Sequence, residues 1–197
     1  MFEIHIYPEQ VINDDKYNKL LEFLLRKCDK VALAIPNYGT TFNFDKRDTI
    51  FEEYHKFKTH LIRNQPEHRN YILKVNKMFD KIDFAFQKKY TNITYFDNVY
   101  NYEVETRIYT YNEEVFKVFK EVGGLYKWRY PNFPEDLFFF KNDKIFLESI
   151  SHESDCWIYD DDKETIDFID ELGLDYCVYE DDVERVFGID DLEVIRE

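Results

Sequence analysis

The stretch SHESDCWIYDDDKETIDFIDELG, residues 151–173, gathers one histidine, one cysteine and nine carboxylates. Three kinds of chemistry draw on such residues: acid–base catalysis, metal ligation and electrostatic recognition. For acid–base work, His152 is a side chain that titrates near neutrality, and Glu153 and Asp136 are carboxylates that could act with it. A small hydrolase-like enzyme built on His152, Glu153 and Asp136 is one reading. The other is that residues 151–154 form a turn whose polar groups bond their own backbone. No G-x-S-x-G nucleophile elbow occurs, and no cysteine stands in a recognisable catalytic motif.

Metal ligation fits the sequence poorly. Asp160, Asp161 and Asp162 are consecutive, so they point in different directions, and no glycine follows as a calcium loop requires. His55 and His60 are five apart, about 140° off a common helical face. The sequence therefore predicts no metal site. No glycine-rich phosphate loop opens a helix either, so no cofactor is expected.

Electrostatic recognition fits best. The net charge is −15, and it is unevenly placed. Residues 131–197 hold 22 Asp and Glu against 5 Lys and Arg, while the first 130 residues are slightly positive. Carboxylates just before a helix are ordinary caps, which accounts for one or two of Asp160–Asp162. It leaves Asp167, Asp170, Glu171, Asp181 and Asp182 among others, a single sign with few interleaved cations. Such a surface repels nucleic acid and suits a basic protein partner. Aromatic content of 19% supplies anchors, such as Trp128, Tyr130, Trp157 and Tyr159.

The elements that must carry these groups can be read from periodicity. FEIHIY alternates as a strand. Tyr17, Leu20, Leu21, Leu24 and Leu25 then share one helical face, with Asn13 or Asp14 as cap. VALAIP is a short buried strand. The segment 37–65 begins as a loop and turns helical near Thr49. After Pro66, the spacing of Ile72, Val75, Phe79, Ile82 and Phe86 predicts one long helix over 66–90. Residues 93–111 read as a long strand or a hairpin, and 112–122 as a helix stopped by Gly123 and Gly124. A hairpin turning at Asn142-Asp143, a strand at DCWIYD, a helix stopped by Gly173 and a strand at LDYCVYE complete the chain. The fold class is α+β: a mixed or antiparallel sheet with packed helices, as a single domain or as two small lobes, 1–130 near-neutral and 131–197 acidic.

Two segments, FEIHIYPEQ…LLRKCDKVALAIPNYG and YPNFPEDLFFFKNDKIFLESISHE, resemble an uncharacterised family of Bacillus, related low-GC bacteria and their phages, sometimes labelled stage III sporulation AH-like. The second segment, with Pro134-Glu135-Asp136 before a hairpin and Ser151-His152-Glu153 after it, also resembles small immunity proteins of polymorphic toxin systems. That resemblance implies a binder of protein effectors with no catalytic residues to carry over. The expectation is a non-enzymatic inhibitor or immunity-like protein that occludes a basic effector, a toxin nuclease or a phage-defence protein. Homo-oligomerisation is compatible with it. The N-terminus lacks the basic and apolar regions of a signal peptide, and three scattered cysteines suit reduced thiols, so the expected setting is cytoplasmic. The longest apolar runs are too short to span a bilayer.

Overall fold

The computed structural model describes residues 2–7, 10, 12–37, 66–96, 100–160 and 162–180. Strand β1 (Phe2–Ile6) is followed by α1 (Asp14–Lys27), β2 (Lys30–Asn37), α2 (Pro66–Ile82), β3 (Phe86–Phe96) and β4 (Tyr100–Thr110). Then come α3 (Glu113–Lys120), β5 (Glu135–Lys141), β6 (Lys144–Ile150), β7 (Asp155–Tyr159), α4 (Lys163–Leu172) and β8 (Tyr176–Glu180). The eight strands form one antiparallel sheet in the order β3-β4-β2-β5-β6-β7-β1-β8. The fold is thus α+β, as the alternation of patterns predicts, and of the single domain or two lobes left open by the sequence it is a single domain.

The strand order decides where the functional groups fall. β1 pairs with both β7 and β8. The N-terminal strand is therefore enclosed by strands of the acidic third, and β2 pairs with β5 across the charge boundary near residue 131. Composition changes there while the sheet continues. β7 and β8 both run antiparallel to β1, so α4 connects two parallel strands with a third between them.

All four described helices cover one face. Ile4, Ile6, Val31, Leu33, Leu137, Phe139, Leu147, Cys156 and Ile158 alternate along their strands and join one core. Tyr17, Leu20, Leu21 and Leu24 of α1 meet it, as do Val115 and Phe119 of α3 and Ile169 and Leu172 of α4. Each such Leu or Ile, fully withdrawn from water, contributes about 1.5–3 kcal/mol before the entropy of ordering it is counted.

Local signals explain the ends. Asn112 caps α3, its side-chain oxygen accepting from the backbone N–H groups of Glu114 and Val115. Asp162 caps α4 by accepting from the N–H of Glu164, and Gly173 ends it at φ 61° in the left-handed region. The hairpin turn at Asn142-Asp143 has positive φ at both residues, 53° and 64°, which matches the right-handed twist of β5 and β6.

The helix expected over 66–90 ends at Ile82, and a 3-10 turn at Asp83–Ala85 leads into β3. The buried stripe of α2 is Tyr71, Val75, Met78, Phe79 and Ile82. Ile72, assigned inward from spacing, is 38% exposed because Tyr71 takes the core position. Phe86 extended the helical period by coincidence; it is 42% exposed and pairs in register with Tyr109. Residues 93–111 resolve as a hairpin, β3 with β4. The loop and helix expected between 38 and 65, with His55 and His60, lie outside the described residues.

Candidate functional site

The second face of the sheet carries the polar chemistry. Alternation that sends Ile4 and Ile6 to the core sends Glu3 and His5 the other way, with Tyr7 just beyond the strand. In β7 the same rule separates Cys156 and Ile158 from Asp155, Trp157 and Tyr159. In β8 it places Cys177 and Tyr179 opposite Tyr176 and Val178. Register then aligns the three strands: His5 lies directly between Trp157 and Cys177, and Glu3 between Tyr159 and Tyr179. Among the described residues, every helix packs on the other face.

His5 is the centre of this patch. Its ring stacks on Trp157 with centroids 4.0 Å apart and planes 10° from parallel. Its Nε2 lies 2.5 Å from Oδ1 of Asp155. That carboxylate also accepts from the backbone N–H of Cys156 at 3.1 Å and the indole N–H of Trp157 at 3.2 Å. A carboxylate held by three donors fixes the imidazole and leaves its other nitrogen, Nδ1, 4.0 Å from Sγ of Cys177. Around this core stand Glu3, the exposed Tyr7 and Tyr179, and Glu148, whose carboxyl burial pushes above its ordinary range while the Tyr159 hydroxyl draws it down.

A second cluster forms where β5 begins and β6 ends. One oxygen or nitrogen from each of Glu135, Asp136 and His152 lies within 4.8 Å of the others. Asp136 adopts φ 53°, and its Oδ1 accepts from the N–H of Ser151 at 2.7 Å. Burial pushes its carboxyl up to about 6, and that hydrogen bond opposes the shift. Of the acid–base set taken from sequence, Asp136 and His152 do meet. Glu153 reaches His152 Nε2 at 3.6 Å but is exposed, and Glu135 takes its place in the cluster. Residues 151–154 are a turn, with the N–H of Glu153 donating to the Ile150 carbonyl. Glu135, Asp136 and His152 are the group among the described residues that could offer a cation three ligands.

The recognition residues expected from sequence do not form one surface. Trp128 is fully buried, because the chain after α3 folds its indole under α1 and against Phe119. Its place among surface anchors is corrected accordingly. Tyr130 is half-buried with its ring edge-on to Tyr71. Asp160 is also no surface charge: it is 8% exposed and accepts from the Thr165 hydroxyl at 2.7 Å. Asp162 is exposed but committed to capping α4 and to Lys27, which also meets Glu164. Asp167, Asp170 and Glu171 are exposed on α4, on the opposite side of the sheet from Trp157 and Tyr159. Asp161, Asp181 and Asp182 lie outside the described residues.

The sequence reading passed over His5, Cys177, Asp155 as a partner of His5, and Tyr7 and Tyr179. Period-two alternation already assigns them to one face. What the sequence withholds is that β1 inserts between β7 and β8. No protein-family model matches this chain, and neither a curated protein nor a solved structure matches it.

Proposed function

We propose that the chain is a cytoplasmic binding protein of the inhibitor or immunity type, which occludes a basic effector protein, a toxin nuclease or a phage-defence protein. The observation that carries this reading is the acidic aromatic patch across β6, β7, β1 and β8. Glu3, Glu148 and Asp155 offer carboxylates beside the rings of Trp157, Tyr159, Tyr7 and Tyr179. Lysine and arginine side chains fit such a surface twice, by charge and by stacking over ring faces. The net charge of −15 adds long-range attraction that speeds encounter, and burial of Trp157 and its neighbours slows dissociation. Three cysteines present as free thiols support a reducing setting. No described helix is long and apolar enough to cross a membrane.

Affinity capture from the cells that encode the protein, compared between the native chain and Trp157→Ala, tests the reading. The expected result is a basic protein lost with the substitution, whose association slows steeply as salt rises. Capture indifferent to Trp157→Ala, to Glu148→Gln and to salt would remove the reading. A second reading, acid–base catalysis by His152, Glu153 and Asp136, is favoured by one observation: Asp136 titrates near 6 beside His152.

A further inference from the structure

We infer that Cys177, His5 and Asp155 form a nucleophilic triad able to take an acyl group from a small ester or thioester. Three adjacent strands supply one member each: β8 the thiol, β1 the imidazole, β7 the carboxylate. Asp155 can only accept, so the proton shared with it sits on His5 Nε2, and the lone pair of Nδ1 faces the sulfur. This is the order nucleophile, base and orienting carboxylate that thiol catalysis needs. Asp155 is a positioning residue, itself held by Trp157 and the Cys156 N–H.

The sulfur is approachable. Cys177 is half-buried on the outer strand of the described sheet, whereas Cys28 and Cys156 are buried. The groups that face it are His5 from β1, Tyr7 beyond β1 and Tyr179 from β8; Asp155 stands behind His5, and Asp175 faces Tyr7. Tyr7 and Tyr179 lie close enough to Cys177 that the thiol raises both phenols above their ordinary range. Their O–H groups, beside the sulfur, are candidates to donate to an oxyanion formed on a carbon bonded to it.

In the step, Nδ1 of His5 takes the thiol proton and the sulfur pair forms the S–C bond while the carbonyl π pair moves to oxygen. On collapse the bond to the leaving group breaks, and His5 returns the proton to that group. Water then repeats the sequence on the thioester and frees the acid. The triad shares Asp155, Tyr7 and Tyr179 with the binding patch, but it is read by acylation of Cys177 and not by capture of a partner, so the two fail separately.

The test uses p-nitrophenyl acetate with the whole chain, read by p-nitrophenolate release and by intact mass with peptide mapping. The expected result is a burst with a single acetyl group on Cys177, absent from Cys177→Ser. His5→Gln should slow acylation at about pH 7 by tenfold or more. Asp155→Asn should displace the pH profile and leave some burst. Unlabelled Cys28 and Cys156 report that each variant is folded; where His5→Gln exposes them, Asp155→Asn and Tyr179→Phe carry the comparison. Acylation that no folded variant slows, or acetyl groups on lysines with Cys177 bare, overturns the triad.

Discussion

The indole N–H of Trp128 donates to the Tyr17 hydroxyl at 2.8 Å, and that hydroxyl donates to the Phe119 carbonyl at 3.1 Å. The two bonds join α1, the end of α3 and the segment after it inside the core, and burial pushes the Tyr17 phenol far above its ordinary range. Trp128→Ala is expected to cost about 3–5 kcal/mol, from the cavity and the lost partner together. Trp157→Ala, on the half-exposed face, should cost about 1 kcal/mol and leave its effect on binding. Urea unfolding of the two variants checks this; equal losses would place Trp128 and Trp157 in equivalent environments.

Asp160 and its acidic neighbours should separate in the same way. The Asp160 carboxylate satisfies a buried Thr165 hydroxyl. Asp160→Ala leaves that hydroxyl unpaired and is expected to destabilise by about 1–3 kcal/mol. Asp167→Asn, Asp170→Asn and Glu171→Gln sit outward on α4 and should each stay within about 0.5 kcal/mol of the native chain. Thermal melts of the four variants decide. A neutral Asp160→Ala would return Asp160 to the solvated acidic surface.

What could be read from residues alone follows from the range of the signal. Local rules placed a cap within Asp160–Asp162, the Gly173 stop and the Asn142-Asp143 turn, because each depends on a few adjacent residues. The end of α2 escaped because Phe86 satisfies a helical period and a strand equally, and only pairing with Tyr109 decides between them. The His5 cluster escaped for a longer-range reason. His5 is 150 residues from Asp155 and 172 from Cys177, and only the strand order makes them neighbours. Charge counting misled in the opposite direction, since it cannot distinguish a carboxylate that caps or fills a buried bond from one that faces water.

The hairpin turn offers a test of the local rules. Asn142 and Asp143 both adopt positive φ, where glycine is at ease and most residues are strained. Asp143→Gly gives the Asn-Gly pair that such turns favour, at the loss of an exposed ion pair with Lys30 worth little. The expected outcome is a gain of a few tenths to about 1 kcal/mol. Asp143→Val should lose about 1 kcal/mol or more, since a β-branched residue resists that conformation. Chemical denaturation of the pair checks it, and a stable valine variant would mean that the turn re-forms with other dihedrals.

Asp136 gives the molecule a pH dependence with a definite sign. Its carboxyl is raised from an ordinary 3.8 to about 6 in the folded protein. The folded state therefore holds a proton that the unfolded state releases between those values, and stability should fall as pH rises from about 4 to about 6, then level off. A shift of that size corresponds to at most about 3 kcal/mol. Asp136→Asn keeps an oxygen to accept the Ser151 N–H, and Asn tolerates φ 53°. The variant is expected to be more stable than the native chain at pH 7.5, by about 1–3 kcal/mol, and to match it near pH 4. Burial also raises Glu148, which contributes with the same sign in both proteins and cancels from the comparison. Urea unfolding of the native chain and the variant at pH 4, 6 and 7.5 measures the difference. If the two curves run parallel across that range, the Asp136 carboxylate is already comfortably ionised by its neighbours. In that case the cluster with Glu135 and His152 would not be a group poised near neutrality for acid–base work.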